Sequence, residues 1–456
     1  MEQDVRRFLY NRCKPNESLP PEDERNVDLD RFGSRRVRGI NWVDRLAGRV
    51  ELSDDPVFGL FTGLPGSGKS TEILRLLRRL RDPGRANLLT VLVQAEDVLD
   101  ITNPIDIPDI LMAIMYATEA TVLEAEGKDP KTALREGYLV RLLAWLRNTD
   151  VELSKAEYAV PEGPQLVFEM KTRPTLRQKI RTAIAAHLTK FLSDVREEMT
   201  LLNQRARQSG RQGLVVVLDS LEKLRGISTN WHDVLGSAER VFAGGAPYLQ
   251  LPVHIIYTIP PALVSRRFEQ VEFMPMIKLH DQKGNPWRDG FAAARELVRR
   301  RVPDSEINEM LGPGGESRLE RLIAWSGGYP RELVRLLQAM IAIPRMPLTD
   351  DDFERVLNEV GDAYRKVVPA DTFEWLAQVS LDHYLTLQSE AHRQTADLML
   401  SNNVVLRYLN DTDWFDLHPA VEQIPGVLEA KKKLAVSRSP VSPVIVDGGR
   451  NPPQTD

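Results

Sequence analysis

One eight-residue stretch constrains the fold more than any other part of the chain. Residues 63–70 read GLPGSGKS and match the pattern G-x-x-x-x-G-K-[ST] at every position. Apolar residues 58–62 precede it as a predicted strand, and from Thr71 onward apolar residues recur on one helix face. A strand, a glycine-rich turn and a helix in this order predict a loop that binds phosphate, because N–H groups and the positive helix start face the same point.

Each residue type in this loop has a physical task. The glycines let the backbone turn so that its N–H groups face phosphate oxygens. We predict that Lys69 places its ammonium on the terminal phosphates and that Ser70 offers its hydroxyl to Mg²⁺. An ordinary glycine-rich turn with a solvated lysine explains the flanking strand and helix less well. The predicted nucleotide-binding residues of the loop are Gly63, Leu64, Pro65, Gly66, Ser67, Gly68, Lys69, Ser70 and Thr71.

A second predicted strand supplies an acid for the metal. Residues 214–218 are five consecutive apolar residues, as in a parallel strand covered on both faces. Asp219 follows at the carboxyl end, the edge where ligands of open α/β sheets bind. We therefore predict Asp219 as an Mg²⁺ ligand. The alternative is an aspartate that only caps the next helix.

Two more buried strands, at residues 87–97 and 251–261, complete a predicted α/β fold with a parallel sheet and helices on both faces. Thr258 ends the second of these strands. It either orients the attacking water or is an ordinary strand-end threonine. Arg38 lies in a basic segment before the first strand, and we predict that it contacts the nucleotide base.

Pattern changes along the chain predict its domains. They are an N-terminal segment at 1–45, a core at 46–265 with a helical insertion at about 129–208, a helical lid at 266–345, a winged-helix-like domain at 346–434 and a disordered tail at 435–456. A long helix is predicted from about residue 174 to 208. Its narrow apolar seam packs either within its own domain or on a partner helix.

Arg331 is the notable residue of the predicted lid. Gly327, Gly328 and Pro330 break one helix and start the next, which leaves Arg331 in the first turn of the new helix. A cation there opposes the helix dipole. Either a nearby phosphate or exposure to water explains its presence.

Composition excludes several classes of protein. A net charge of −5 argues against a broad basic surface for nucleic acid, although not against a local one. Cys13 is the only cysteine, so the chain holds no internal disulfide and no cysteine zinc site, and a reducing cytoplasm fits best. We expect no membrane span, because no apolar run is long enough. No nuclease, protease or deaminase constellation is recognisable, and His392 and His418 are interpreted as ordinary histidines.

The order of these motifs resembles that of bacterial AAA+ ATPases, close to the origin-recognition and STAND branches. The resemblance covers residues 27–428 and rests on GLFTGLPGSGKSTEILRL, LVVVLDSLEKL, HIIYTIPPAL, MIKLHDQKGNP, SGGYPRELVRLL and VVLRYLNDTDWFDLHPAV. It implies ATP and Mg²⁺ as ligands and a homo-oligomer with ATP at subunit interfaces. It also implies that Thr258 is the first sensor, Arg331 the second sensor and Arg240 an arginine finger. The rival fingers are Arg299, Arg300 and Arg301.

One departure from that family concerns the catalytic carboxylate. AAA+ strands of this type usually end in adjacent Asp-Glu, whereas here Ser220 follows Asp219 and the next carboxylate is Glu222. We predict that Glu222 positions the attacking water. If it points away from the nucleotide, hydrolysis is slow and the protein is a nucleotide-held switch.

Three function classes follow from the sequence. The first is an ATPase that assembles or switches a separately encoded effector protein, as many bacterial conflict and defence ATPases do. The second is a nucleotide-binding scaffold with little turnover. The third is an ATP-dependent DNA-binding protein. The acidic balance and the acids Asp411 and Asp413 at the predicted wing tip favour the first two, because phosphates repel carboxylates.

Overall fold

The computed structural model describes residues 1–33, 37–134, 137–147, 164–224, 226, 229–265 and 271–438. Its centre is a parallel five-stranded sheet in the order β2-β3-β4-β1-β5. The strands are β1 (Phe58–Gly63), β2 (Leu89–Gln94), β3 (Leu214–Asp219), β4 (His254–Thr258) and β5 (Val271–Met274). The carboxyl ends of β1, β3 and β4, which lie side by side, therefore carry the phosphate loop, Asp219 and Thr258.

Helices cover both faces of this sheet, as the apolar runs predict. Val215 and Val217 of β3 pack with residues of the helices before and after the phosphate loop. Val216 and Leu218, which alternate with them, pack with the helices inserted between β2 and β3. The helices of the N-terminal part are α1 (Gln3–Arg12), α2 (Trp42–Glu51) and α3 (Lys69–Arg81).

The segments between the strands are helical. Those between β2 and β3 are α4 (Ala95–Val98), α5 (Ile107–Ala125), α6 (Pro130–Ala133), α7 (Tyr138–Arg147), α8 (Pro164–Thr172), α9 (Pro174–Ala186) and α10 (Leu188–Gln208). A 3₁₀ turn (Leu221–Lys223) follows β3, and then come α11 (Trp231–Glu239), a π-helical turn (Arg240–Gly244) and α12 (Ala246–Leu249).

The single helix predicted from 174 to 208 is wrong, because the chain breaks at His187 into α9 and α10. His187 takes a non-helical backbone conformation, and its ring packs edge-on against Trp145. The apolar residues of the seam keep the same spacing across the break, so the periodicity of the sequence does not reveal the break. Phe191 and Met199 of this seam are buried against α5 and the sheet, so the seam packs within its own domain.

After β5, the described residues 275–438 contain helices and one β-hairpin. The helices are α13 (Arg288–Arg299), α14 (Asp304–Leu311), α15 (Gly315–Trp325), α16 (Pro330–Ala342), α17 (Asp350–Val367), α18 (Phe373–Asp382), α19 (Glu390–Ser401), α20 (Pro419–Glu422) and α21 (Pro425–Arg438). The antiparallel hairpin is formed by β6 (Val405–Leu409) and β7 (Asp413–Leu417). Helix α21 runs past residue 435, where the sequence places the start of the tail, and residues 439–456 lie outside the described part.

The sheet also extends beyond residue 265, the predicted end of the core, because β5 pairs with β1. This strand has only four residues and carries Glu272 in its middle, so it lacks the apolar run that marks the other strands. Glu272 is paired with Arg45 and Arg49, which offset its charge. In the described part of the chain, the model contains no helix with the length and apolar character that a membrane span requires.

Candidate functional site

The phosphate loop connects β1 to α3 in a shape that needs its glycines. Gly66 and Gly68 have φ of 81° and 96°, in the left-handed region that glycine adopts without strain. A Cβ on Gly66 would also lie 2.7 Å from Cβ of Arg331 and 2.7 Å from the ring of Tyr329. Residue 66 is therefore glycine for two independent reasons, and the start of α16 approaches the loop closely.

Lys69, the first residue of α3, points its ammonium back into the loop. Its Nζ donates to the carbonyl oxygens of Gly63 at 2.8 Å and Leu64 at 3.2 Å, and it lies 3.5 Å from Oε1 of Glu222. The side chain is buried, and burial lowers the pKa of Lys69, an effect that Glu222 and Asp219 oppose. A phosphate group at this point would favour the charged ammonium in the same way as the two carboxylates.

Asp219 lies at the end of β3 as predicted, and its carboxylate fits a cation. Both oxygens are buried and make no hydrogen bond of ordinary geometry with any described residue, while the hydroxyl of Ser70 lies close enough to favour the charged form. Burial, together with the charge of Glu222, raises the pKa of Asp219 to about 6. A buried carboxylate without a partner, beside a hydroxyl, has the chemistry of an Mg²⁺ site that is completed by water and phosphate oxygens.

The raised pKa of Asp219 predicts a stability effect. We expect Asp219→Asn to stabilise the nucleotide-free protein at pH 8 by about 2–3 kcal/mol, because the ionised carboxylate costs roughly 1.4 kcal/mol per unit of raised pKa. The gain should fade as the pH falls from about 6 towards 3.8, because the wild-type carboxyl group is protonated in the folded state before it is protonated in the unfolded chain. Melting temperatures from pH 4.5 to 8 measure this. Exposed Asp362→Asn is the control, and a gain independent of pH would contradict the assignment.

Glu222 faces the same cleft as Lys69. Ser220 adopts a left-handed conformation, with φ of 70°, which turns the chain sharply after β3 and into the 3₁₀ turn that carries Glu222. The N–H of Leu221 donates to Oγ1 of Thr258 at 3.1 Å, so the predicted sensor residue holds this turn in place. Oε2 of Glu222 is buried and has no hydrogen-bond partner among the described residues, which leaves it free to accept a proton.

Arg331 lies in the first turn of α16, as the sequence predicts, and borders the cleft together with Gly66, Lys69 and Glu222. Its Nε is buried without a hydrogen-bond partner. The charge of Arg331 lowers the pKa of Lys69, so the two cations are close enough to repel each other. An anion between them would remove this repulsion, and this favours the phosphate explanation over simple exposure to water.

Arg38 contacts the phosphate loop itself. The guanidinium donates to the carbonyl oxygen of Ser67 at 2.5 Å and to Oε1 of Glu72 at 3.3 Å. Burial is the main cause that lowers the pKa of Arg38, and Glu72 opposes it. Arg38 borders the cleft, but its polar contacts are to the loop backbone and to α3, so its predicted role at the base stays a prediction.

The predicted arginine finger lies elsewhere. Arg240 is exposed, begins the π-helical turn and borders a separate surface groove with Arg181 and Tyr248. Among its rivals, Arg299 pairs with Asp304 on the surface, and Arg300 pairs with Glu296. Arg301 is instead buried and borders the cleft of its own chain. The structure thus brings Arg331 to the loop, places Arg301 at the border of the same cleft and leaves Arg240 away from it.

The N-terminal segment forms a wall of the cleft that the sequence did not predict. Leu19, Val27 and Leu29 border the cleft, together with Leu297 and Val334 of the helices after the sheet. The segment is anchored at the loop because the N–H of Leu19 donates to Oγ1 of Thr71 at 3.3 Å. The apolar side chains stand singly in a charged stretch, so no helix or strand period marks them.

A second unpredicted contact joins the C-terminal helices to the loop. Asn403, in the turn between α19 and β6, is buried and donates from Nδ2 to the carbonyl oxygen of Pro65 at 3.1 Å. Asn403 has φ of 54°, a conformation that asparagine tolerates better than most residues. The tip of the phosphate loop is thus held by a residue more than three hundred positions away in the sequence.

Neither a protein-family model nor a curated protein sequence matches the chain. Solved structures that the chain is similar to include the ORC2 protein of Aeropyrum pernix in its ADP form, with 12% identity, coverage of 94% of this chain and 98% of that chain, and a TM-score of 0.39. The Drosophila ORC bound to DNA has 12% identity, coverage of 94% and 93%, and a TM-score of 0.37. Cdc6p of Pyrobaculum aerophilum has 10% identity, coverage of 93% and 98%, and a TM-score of 0.32.

These neighbours are ORC and Cdc6 proteins, and the assignment of this chain to the bacterial origin-recognition and STAND branches stays a prediction. Identities of 12% or less carry no assignment of activity. The proposals for function rest on the geometry of the cleft itself.

Proposed function

We propose that the chain is an AAA+-type ATPase that binds ATP with Mg²⁺ in the cleft between the sheet and α16. One observation carries this proposal. At the carboxyl ends of β1 and β3, Lys69 and Glu222 border one cleft, and the carboxylate of Asp219 lies buried close to both of them and to the hydroxyl of Ser70. Phosphoryl transfer needs a cation on the phosphates, a metal ligand and a group that positions water, and these residues supply all three.

Each residue has a role in this proposal. Lys69 and the loop N–H groups hold the phosphates, and Ser70 and Asp219 hold Mg²⁺, which neutralises charge that develops on the phosphate oxygens. Glu222 accepts the proton of the attacking water at Oε2. Thr258 positions the turn that carries Glu222. Apolar residues of the N-terminal segment cover the base, and Arg38 contacts it from the same cleft.

The cycle of binding and hydrolysis would assemble or switch a partner. Arg331 reaches the loop from α16, so closure of α13–α16 as a lid over the nucleotide would bring it to the phosphates. The region after residue 346 would act as a winged-helix-like domain in contact with the loop through Asn403 and Pro65. A separately encoded effector in a bacterial conflict or phage-defence system is the partner that we propose.

Arg240 provides the test of assembly. Because it is exposed and lies away from its own cleft, it would act only on the nucleotide of a neighbouring subunit. We expect Arg240→Ala to lower turnover roughly 10³-fold and to leave ATP affinity of the monomer unchanged. Turnover per chain should also rise with protein concentration in the wild type, and light scattering should show a larger mass with ATP.

Mixing two inactive variants tests directly whether Arg240 acts on the nucleotide of a neighbouring subunit. The Lys69→Ala subunit cannot hold the phosphates but still carries Arg240. The Arg240→Ala subunit binds ATP but lacks the finger. In a mixed oligomer the first can act on the ATP of the second, so the mixture should regain turnover. Exposed Arg365→Ala is the matched control and should behave like the wild type. A mixture without recovery, together with turnover per chain that is independent of concentration, would show that the active unit is a monomer.

A further inference from the structure

A wide surface groove, separate from the nucleotide cleft, runs beside the C-terminal half of α3. Seven arginines and three aspartates border it, although the whole chain carries a net charge of −5. One of the arginines, Arg81, turns away to donate to the hydroxyl of Thr90. The remaining six are Arg31, Arg75, Arg78, Arg79, Arg85 and Arg300. A local concentration of positive charge on an acidic protein needs an explanation.

Folding explains only two of these six arginines. Arg79 donates to both carboxylate oxygens of Glu51, at 2.9 and 2.7 Å, and so ties α3 to α2. Arg75 bridges Glu72 at 2.7 Å and Asp28 at 2.8 Å, and so ties α3 to the N-terminal segment. Both side chains are largely buried, with 21% and 18% of their surface exposed. Because these two arginines form ion pairs that join elements of the fold, their presence at the groove has a structural explanation.

The other four arginines are exposed and weakly held. Arg31, Arg78, Arg85 and Arg300 keep 79%, 60%, 50% and 48% of their side-chain surface in solvent. Each has a single acidic partner that is itself partly or well exposed. Exposed pairs of this kind contribute only about 0–1 kcal/mol, so a stronger anion would displace the acids at little cost.

We propose that this groove binds the phosphate backbone of double-stranded nucleic acid. Arginine suits phosphate, because its planar fork donates two hydrogen bonds to the oxygens and never loses its charge. Among the described residues that border the groove there is no aromatic side chain, so it lacks the stacking platforms that hold unpaired bases. Contacts to the backbone alone give binding without sequence preference.

Direct binding of a fluorescent 20-base-pair DNA duplex to the full chain, by anisotropy at several salt concentrations, tests the proposal. Four phosphate contacts predict that log K falls against log salt with a slope of about −3 to −4. Arg78→Glu with Arg85→Glu should weaken binding at least about tenfold and reduce the slope by roughly two. A duplex RNA of equal length should bind similarly, and a single strand more weakly.

A control variant distinguishes the loss of the groove arginines from the change in the net charge of the protein. Arg365→Glu with Arg393→Glu makes the same charge change at exposed, singly paired arginines of α17 and α19, and it should leave the affinity unchanged. Unchanged melting temperature and ATP affinity in the groove variant would show that it remains folded. Equal weakening in both double variants would overturn the proposal. The proposal would also be overturned if poly-glutamate bound as tightly as DNA and the groove variant weakened both equally. The partner of the groove would then be an acidic protein.

Discussion

Lys69→Ala is expected to weaken ATP binding at least about 100-fold, the loss that follows when a charged group loses its contacts with phosphate. The ammonium is the cation nearest to the two carboxylates of the cleft, 3.5 Å from Oε1 of Glu222. Without the ammonium, the negative charges of Glu222 and Asp219 are less well neutralised. They then repel the phosphates of ATP, and this repulsion adds to the loss of the attraction between lysine and phosphate. Isothermal titration with Mg-ATP measures the affinity directly.

The fold should survive this change. Lys69 lies at the start of α3, and its ammonium contacts only the carbonyl oxygens of Gly63 and Leu64 and the carboxylate of Glu222. Circular dichroism and the melting temperature check this point. Exposed Lys433→Ala is the matched control for removal of a lysine. Unchanged ATP affinity in a folded Lys69→Ala protein would disprove the assignment of the phosphate loop.

The central part of this site was predictable because its signals are local. A phosphate loop needs its glycines, lysine and hydroxyl within eight residues, and a buried parallel strand needs a continuous apolar run, as in residues 214–218. The acid that ends such a strand lies at the ligand-binding edge for topological reasons. Lys69, Asp219, Glu222 and Arg331 therefore meet in the structure as expected, while their roles stay predictions.

The parts that were missed depend on contacts across long distances in the sequence. Leu19 and Val27 border the cleft because the N-terminal segment packs on helices that lie about 270 or more residues later, and no local period signals this. Asn403 reaches Pro65 from the other end of the chain. The break at His187, whose ring packs against Trp145, lies within an unbroken apolar pattern. In each case the feature involves contacts between residues that are distant in the sequence, and no local sequence pattern marks it.

Glu222→Gln should retain Mg-ATP binding and lower the rate of hydrolysis by about 10²- to 10⁴-fold, the usual contribution of a general base. The amide keeps the shape of the side chain but cannot accept the proton of the attacking water at Oε2. It also removes a negative charge near the phosphates, so ATP affinity should be equal to or higher than that of the wild type. Single-turnover hydrolysis and equilibrium titration together separate these two effects.

Glu96→Gln is the matched control, because Glu96 is a partly exposed carboxylate that pairs at 2.7 Å with Lys223, the residue after Glu222. It should hydrolyse ATP at the wild-type rate. If Glu222→Gln does the same, the base lies elsewhere and the turn held by Thr258 has only a structural role. If neither the wild type nor Glu222→Gln hydrolyses ATP measurably, the 3.5 Å contact between Lys69 and Glu222 is a static ion pair. The protein would then be a nucleotide-held switch, whose state depends on ATP binding and release rather than on hydrolysis.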